Sequence, residues 1–314
     1  MGRYVVRRVI QAIPVILGAT FLIYALVFLL PGDPIQALAG EKRADPTVVA
    51  MLHDRYHLDD PFFVQYWHYL IGLFQGDFGE DYRGHAVVDV MTRAFPYTIN
   101  LALMALGVEM VIGVVAGVVA ALRRGRFIDN LVLISTLMVI SIPTFVIGFV
   151  LQLLLGVKLN TDYGIDFFPV SFNEDAGFRA YLLPAYVLAS TSLAYIARLT
   201  RTSLIEVMRA DYVRTAVAKG LSPLRVVVRH GLRNALIPIV TFLGMDLGSL
   251  MGGAVITEGI FNIPGIGHQL FQSVYLRERT IVVGVVSALV LVYLFTNLVV
   301  DLLYAVLDPR IRYE

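Results

Sequence analysis

Residues 9–30 read VIQAIPVILGATFLIYALVFLL, an uncharged apolar run of 22 residues that follows Arg3, Arg7 and Arg8. A helix needs about 20 such residues to cross the hydrocarbon of a bilayer. A secretory signal peptide also begins with basic residues, but its apolar stretch is only roughly 7–15 residues long and ends at a small-x-small cleavage site. This run is longer and ends in Pro31-Gly32-Asp33-Pro34. It is therefore read as a retained membrane anchor.

Working outward, five more runs qualify as spans: Tyr97–Leu122, Leu131–Gly156, Tyr181–Arg198, Leu236–Thr257 and Ile281–Leu307. Pro184 and several Ser and Thr residues dilute the one that begins at Tyr181. Composition agrees with membrane burial. Of 314 residues, 58% are hydrophobic and 16% charged, against about a quarter charged in soluble domains, and the mean hydropathy is +0.74. There is no cysteine, which excludes a disulfide framework and thiolate metal sites.

Basic residues concentrate on the cytoplasmic side of membrane proteins. With the N-terminus inside, segments 1–8, 122–130, 198–235 and 308–314 hold 16 Lys and Arg, and the outside segments hold 9. The outside segments also carry 16 of the 24 acids. Six spans with both termini cytoplasmic is the consistent reading. The fold class is all-α and membrane-embedded. Residues 1–95 form the first span with a long extracytoplasmic segment, and 96–314 form a core of five spans with a cytoplasmic loop over 199–235. Within the outer segment, the spacing predicts a helix over Val48–Phe63. Beyond it Tyr66, Trp67, Tyr69 and Phe74 form an aromatic cluster suited to an element lying on the membrane surface.

The large inner loop reads RADYVRTAVAKGLSPLRVVVRHGLRNALIP over residues 209–238. Two short helical patterns flank Gly220-Leu-Ser-Pro223. Gly220 suits a left-handed helix end, and Ser222-Pro223 suits a helix start. The first helix, Ala210–Lys219, is too short and polar to span and too apolar to stand free, so it is read as a docking segment.

This loop resembles the "EAA" coupling motif of binding-protein-dependent ABC importer permeases, and in particular the dipeptide/oligopeptide branch. The residues that carry the likeness are Tyr212-Val-Arg-Thr-Ala-x-Ala-Lys-Gly-Leu221 and Arg229-His-x-Leu-Arg-Asn-Ala-Leu-Ile-Pro238. Where the general motif has Glu-Ala-Ala, this chain has Arg214-Thr215-Ala216, and Pro238 stands 18 positions after Gly220. Both departures suit the peptide branch. Further matching stretches are Leu30–Pro34, Leu58–Pro61, Gly76–Gly79, Gly252–Gly267, Asn297–Asp301 and Asp308–Arg312. Glu80-Asp81 after Gly79, and Glu278 and Thr280 before the last span, depart from the usual pattern.

The resemblance implies a type I ABC importer permease of the bacterial inner membrane. Its partners would be a second homologous permease, two nucleotide-binding ATPase subunits (or a fused one) and an extracytoplasmic substrate-binding protein. ATP and Mg would act on the ATPase subunits, with no cofactor on this chain. Tyr212, Arg214, Thr215, Ala216, Lys219 and Gly220 would form the coupling site. The implied cargo is a dipeptide or oligopeptide. Relatives of this branch also move nickel chelates, glutathione or heme.

Other residues carry competing readings. Gly244, Gly248 and Gly252, spaced by four, form a ridge for close helix approach, or else a hinge. Glu109 and Asp246 fall near mid-membrane, where a carboxylate is costly. They either border the pathway and meet a peptide's cationic amino end, or are neutral acids bonded to a neighbouring helix. Asp301 falls near the inner face, within reach of Arg310 and Arg312. Glu258, Phe261, Pro264, Gly265 and Gly267 form a turn at the outer mouth, read either as gate or receptor contact or as a plain connection. His53 and His57 have metal-ligand spacing without a third ligand, and a solvated helix face is the simpler reading.

Two other function classes are weighed. A proton-coupled secondary transporter would use the buried acids and would show an inverted repeat, which is not visible. An intramembrane enzyme would need a nucleophile–base constellation, and Ser249 lacks one. No phosphate-binding Gly-Lys-Ser/Thr loop is present, so ATP hydrolysis is expected on partner subunits.

Overall fold

The computed structural model describes residues 2–29, 47, 59–80 and 85–307. His53, His57, the Leu30–Pro34 and Asp308–Arg312 motifs, and most of the Val48–Phe63 pattern lie outside the described residues, as does the Asp301 side chain. Among the described residues the secondary structure is helical, apart from one isolated bridge between Glu80 and Ala86. The helices are α1 (Gly2–Phe28), α2 (Phe62–Phe74), α3 (Val87–Leu122), α4 (Phe127–Ser141), α5 (Thr144–Tyr163), α6 (Arg179–Val207), α7 (Asp211–Ala218), α8 (Arg233–Phe261), α9 (Ile266–Tyr275) and α10 (Arg279–Leu307). Within the described residues, six helical segments are long and apolar enough to cross a membrane. They lie in α1, α3, α5, α6, α10 and a segment, Pro223–Gly252, that runs into α8.

One expected span is drawn differently. The run Leu131–Gly156 is two helices, α4 and α5, separated at Ile142-Pro143. The proline ring crowds the residue before it and disfavours helical dihedrals there. Ile142 accordingly sits at φ −97°, ψ 128°. The helix that follows continues to Tyr163, so the span is Thr144–Tyr163. Pro184 has no such effect on α6. It lies within the first two turns, where few intrahelical hydrogen bonds are lost to it.

The chain divides into two compact units, residues 1–98 with 263–314, and 99–262. In the first unit α1 packs along α10, and α2 packs on α1. The aromatic cluster sits on α2, C-terminal to the helix expected at Val48–Phe63. It does not lie only on a surface. The Tyr66 hydroxyl donates to Leu17 O at 3.1 Å, halfway along α1. The Tyr69 hydroxyl donates to Ser287 Oγ at 2.7 Å, about 12 Å along α10 from its start at 1.5 Å per residue. Phe63, Trp67 and Phe74 point outward. Val87, Met91 and Ala94 at the start of α3 pack with Ile266, Ile281 and Val285.

In the second unit α6 is the hub, packed against α3, α4 and α8. Lipid tails are as apolar as these side chains, so helix association rests on close packing rather than on escape from water. The closest approach is at Gly113 and Gly117 of α3. A methyl group on Gly117 would come within 2.6 Å of Thr200 Cβ, and one on Gly113 within 2.9 Å of Ile196 Cγ2. Ile196 then packs with Ile239 and Leu243 of α8.

Candidate functional site

The loop between α6 and α8 is ordered from within. Helix α7 turns Val213 and Ala216 inward, where they pack with Val226, Met208 and Leu221. Tyr212, Arg214, Thr215, Val217 and Lys219 face out. Gly220 ends the helix at φ +76°, a conformation that costs glycine little and other residues more. Pro223 then begins the return, which continues through a π-helical stretch, Val226–Leu232, into α8. Gly231 is required by contact, because a methyl group there would meet Met208 Sδ at 2.8 Å. The Asn234 amide donates to the Tyr212 hydroxyl at 2.9 Å. The Asp211–Arg214 pair is exposed on both sides, and such pairs contribute little.

The structure brings Glu109 and Asp246 together, although 137 positions separate them. Glu109 opens the π-helical turn Glu109–Gly113 of α3 and is fully buried. Its electrostatic neighbour is the Asp246 carboxyl on α8. Both Glu109 carboxyl oxygens and Asp246 Oδ2 are enclosed, and the polar group that faces Glu109 is the Asp246 side chain. Asp246 is half-exposed. The π turn shifts the register of α3 at this one point, a feature that recurs at functional sites.

The candidate outer turn divides. Glu258 and Phe261 lie at the end of α8 and are buried. Phe261 O accepts from Phe172 N at 2.7 Å. Pro264 is exposed, whereas Gly265 and Gly267 are buried. The Ile266 amide donates to Thr98 Oγ1 at 2.9 Å. On the glycine ridge of α8, Gly248 is buried and Gly244 half-buried. Gly252 is exposed, and a methyl group there would meet nothing within 4 Å among the described residues.

Sequence reasoning missed one ion pair. Arg201 of α6 holds Asp129 of α4 through Nε on one oxygen and NH2 on the other, the latter at 2.8 Å. The Gly125 amide also donates to Asp129 at 2.8 Å. The hydrogen bonds from Arg201 hold the Asp129 carboxyl below the usual carboxylate range, against the opposing effect of burial. No local signal links positions 72 apart. Sequence reasoning also passed over Gly113-x-x-x-Gly117, whose spacing of four is a small-residue packing signal.

Two family models cover nearly the whole chain. "Binding-protein-dependent transport system inner membrane component" matches residues 113–313, and the N-terminal model, "Binding-prot-dependent transport system membrane comp, N-term", matches residues 1–102. The chain belongs to this family. It is a multi-pass inner-membrane permease subunit of an ABC importer, as the coupling-loop motif implied.

The permease is similar along its full length to named relatives. The di/tripeptide transport system permease protein DppB of Pseudomonas aeruginosa is 40% identical over 335 residues, with 100% of each chain covered. The glutathione transport system permease protein GsiC of Escherichia coli K12 is 36% identical over 317 residues, again with full coverage of both. The Salmonella typhimurium GsiC is 37% identical over 318 residues. A crystal structure of an amino acid ABC transporter aligns at a TM-score of 0.49 and 20% identity, covering 69% of this chain and 93% of that one.

Proposed function

We propose that this permease forms half of the translocation pathway of an ATP-driven dipeptide or oligopeptide importer. The observation that carries the reading is the outward face of α7. Tyr212, Arg214, Thr215 and Lys219 stand exposed on a helix whose other face is fixed by Val213 and Ala216. Such a segment transmits force from a docked subunit, because its backbone is anchored to α6 and α8.

In this reading the termini are cytoplasmic, and α7 seats in one of two ATPase subunits, which bind ATP and Mg and hydrolyse the nucleotide. This chain carries no cofactor and no catalytic residue. A second homologous permease packs on the open side of Gly252 and the half-buried Gly244, with Gly248 packed inside the chain. The extracytoplasmic binding protein delivers cargo at the mouth near Pro264, with Glu258, Phe261, Gly265 and Gly267 shaping the turn. Residues 1–95 serve as an N-terminal module and residues 96–314 as the permease core. Asp246, backed by Glu109, borders the pathway and meets the cationic amino end of the peptide.

A second cargo is favoured by a specific observation. Glutathione is itself a tripeptide, and the glutathione permeases match this chain from end to end. Reconstitution with the co-purifying subunits separates the cargoes. ATP-dependent uptake of dipeptides into vesicles supports the reading, uptake of glutathione alone shifts the cargo, and uptake without ATP overturns it.

A further inference from the structure

A cavity of about 210 Å³ opens where α3 and α6 end, in the second unit. Arg124, from the turn after α3, and Arg209, from the turn after α6, line it together with Ala121, Leu122, Leu204 and Met208. Neither arginine makes an ion pair with a described residue. Glu206, exposed on the last turn of α6, pairs with neither. Asp129, the acid that Arg124 acts on, is already held by Arg201. Arg123 and Arg126 add two more exposed charges to the same turn. In the cavity wall Leu122 is 54% exposed.

The site thus joins excess positive charge to an apolar wall at the ends of two spanning helices. A soluble anion would use only the charge. An amphiphile with an anionic head uses both. Basic pockets between transmembrane helices on the cytoplasmic side suit such headgroups.

The geometry points to a binding site for the phosphate headgroup of an anionic phospholipid, held by Arg124 and Arg209, with its acyl chain against Leu122. The leaflet rests on the orientation proposed above, which makes this the cytoplasmic one. Met208 gives the site its consequence, because it lines the cavity and also packs against the inner face of α7 and against Gly231. Lipid in the cavity therefore braces the joint between α6 and the coupling helix.

The test is native mass spectrometry of the purified importer after exchange with phosphatidylglycerol or phosphatidylcholine. The wild type should retain phosphatidylglycerol preferentially. Arg124→Gln with Arg209→Gln should weaken that preference about thirtyfold, at roughly fivefold per arginine. Arg179→Gln, at the opposite end of α6, should leave it nearly intact, and Arg124→Lys with Arg209→Lys should preserve it, which separates loss of charge from loss of folding. Equal retention by the double Gln variant overturns the site. Displacement of the lipid by millimolar glycerol 3-phosphate also overturns it, by reassigning the pocket to a soluble phosphate. A cross-link from position 209 to an ATPase subunit, with no lipid retained, assigns the pocket to the partner instead. Orientation is read separately. The chain has no cysteine, so Arg126→Cys can be labelled with an impermeant thiol reagent. Labelling from the outside would sink the proposed orientation and the leaflet, while lipid retention still reports on the pocket.

Discussion

The Asn234 amide and the Tyr212 hydroxyl meet at 2.9 Å, joining the coupling helix α7 directly to the first turn of α8. Docking on α7 is therefore coupled to a membrane helix by a side-chain bond as well as by the chain itself. Replacing Tyr212 by Phe removes this bond and should cost on the order of 1 kcal/mol in the stability of the loop, with α7 still able to dock. Tyr212→Ala also removes the exposed ring, and should abolish ATP-dependent uptake while the permease remains folded. Uptake and thermal unfolding, measured on both variants, check this.

Ala216→Leu should behave differently. Ala216 is buried against Val226 and Met208, so a larger side chain forces the loop apart. Overpacking of this kind costs roughly 1–3 kcal/mol. The expected signature is faster proteolysis between α6 and α8, even in permease free of ATPase subunits. A variant that loses ATPase binding while keeping wild-type protease resistance would place Ala216 at the docking face.

The Asp129–Arg201 pair is nearly enclosed, with side-chain exposures of 2% and 18%. Breaking one side of a buried pair leaves an uncompensated charge, at a cost on the order of 3 kcal/mol. Asp129→Asn should therefore lower the thermal midpoint clearly at neutral pH. The pH dependence has a defined sign. The folded carboxyl titrates below its unfolded value, so its stabilisation is complete above about pH 4. It is lost as the pH falls through the lower folded value. The wild type and Asp129→Asn should converge there, and a gap unchanged into strong acid would contradict this account.

Gly117 and Gly252 should separate packing inside the chain from packing between chains. Gly117→Leu drives atoms into Thr200 and should prevent stable accumulation of the permease alone. A methyl group at Gly252 meets nothing within 4 Å among the described residues, so with Gly252→Leu the isolated permease should keep its stability. Under the proposed assembly the second variant should lose the sister permease on co-purification.

Uptake tests the acid pair. Glu109→Gln with Asp246→Asn should slow transport of peptides with a free amino end more than that of N-acetylated peptides. Equal rates for the double variant and the wild type on both substrates would remove the pair from the pathway.

Spans and the coupling loop were legible in the sequence because each depends on local pattern. Uninterrupted apolar length exposes α1, α3 and α10, and Gly220 with Pro223 punctuates α7. The break at Ile142-Pro143 was equally local, but apolar continuity on either side masked it. Contacts set by tertiary structure were harder to read. Asp129 carries no mark of Arg201, and the glycines of α8 look like a packing ridge as much as Gly113 and Gly117 do. Only the structure puts the tight internal contact on α3. For Glu109 and Asp246, helix arithmetic gave equal depth in the membrane, but their meeting and the burial of Glu109 needed the fold.

α6 has the lowest hydropathy of the six spans and is the most buried. Ser190 and Thr200 are buried and Arg201 holds Asp129 of α4, so lipid alone is a poor solvent for it. This bears on biogenesis. As the chain emerges from the ribosome, α3 and α4 precede α6 and offer it Gly113, Gly117 and Asp129. Membrane insertion of α6 should then depend on helices already in place, so an early defect at Gly117 or Asp129 would show as a topology error before it showed as a loss of transport.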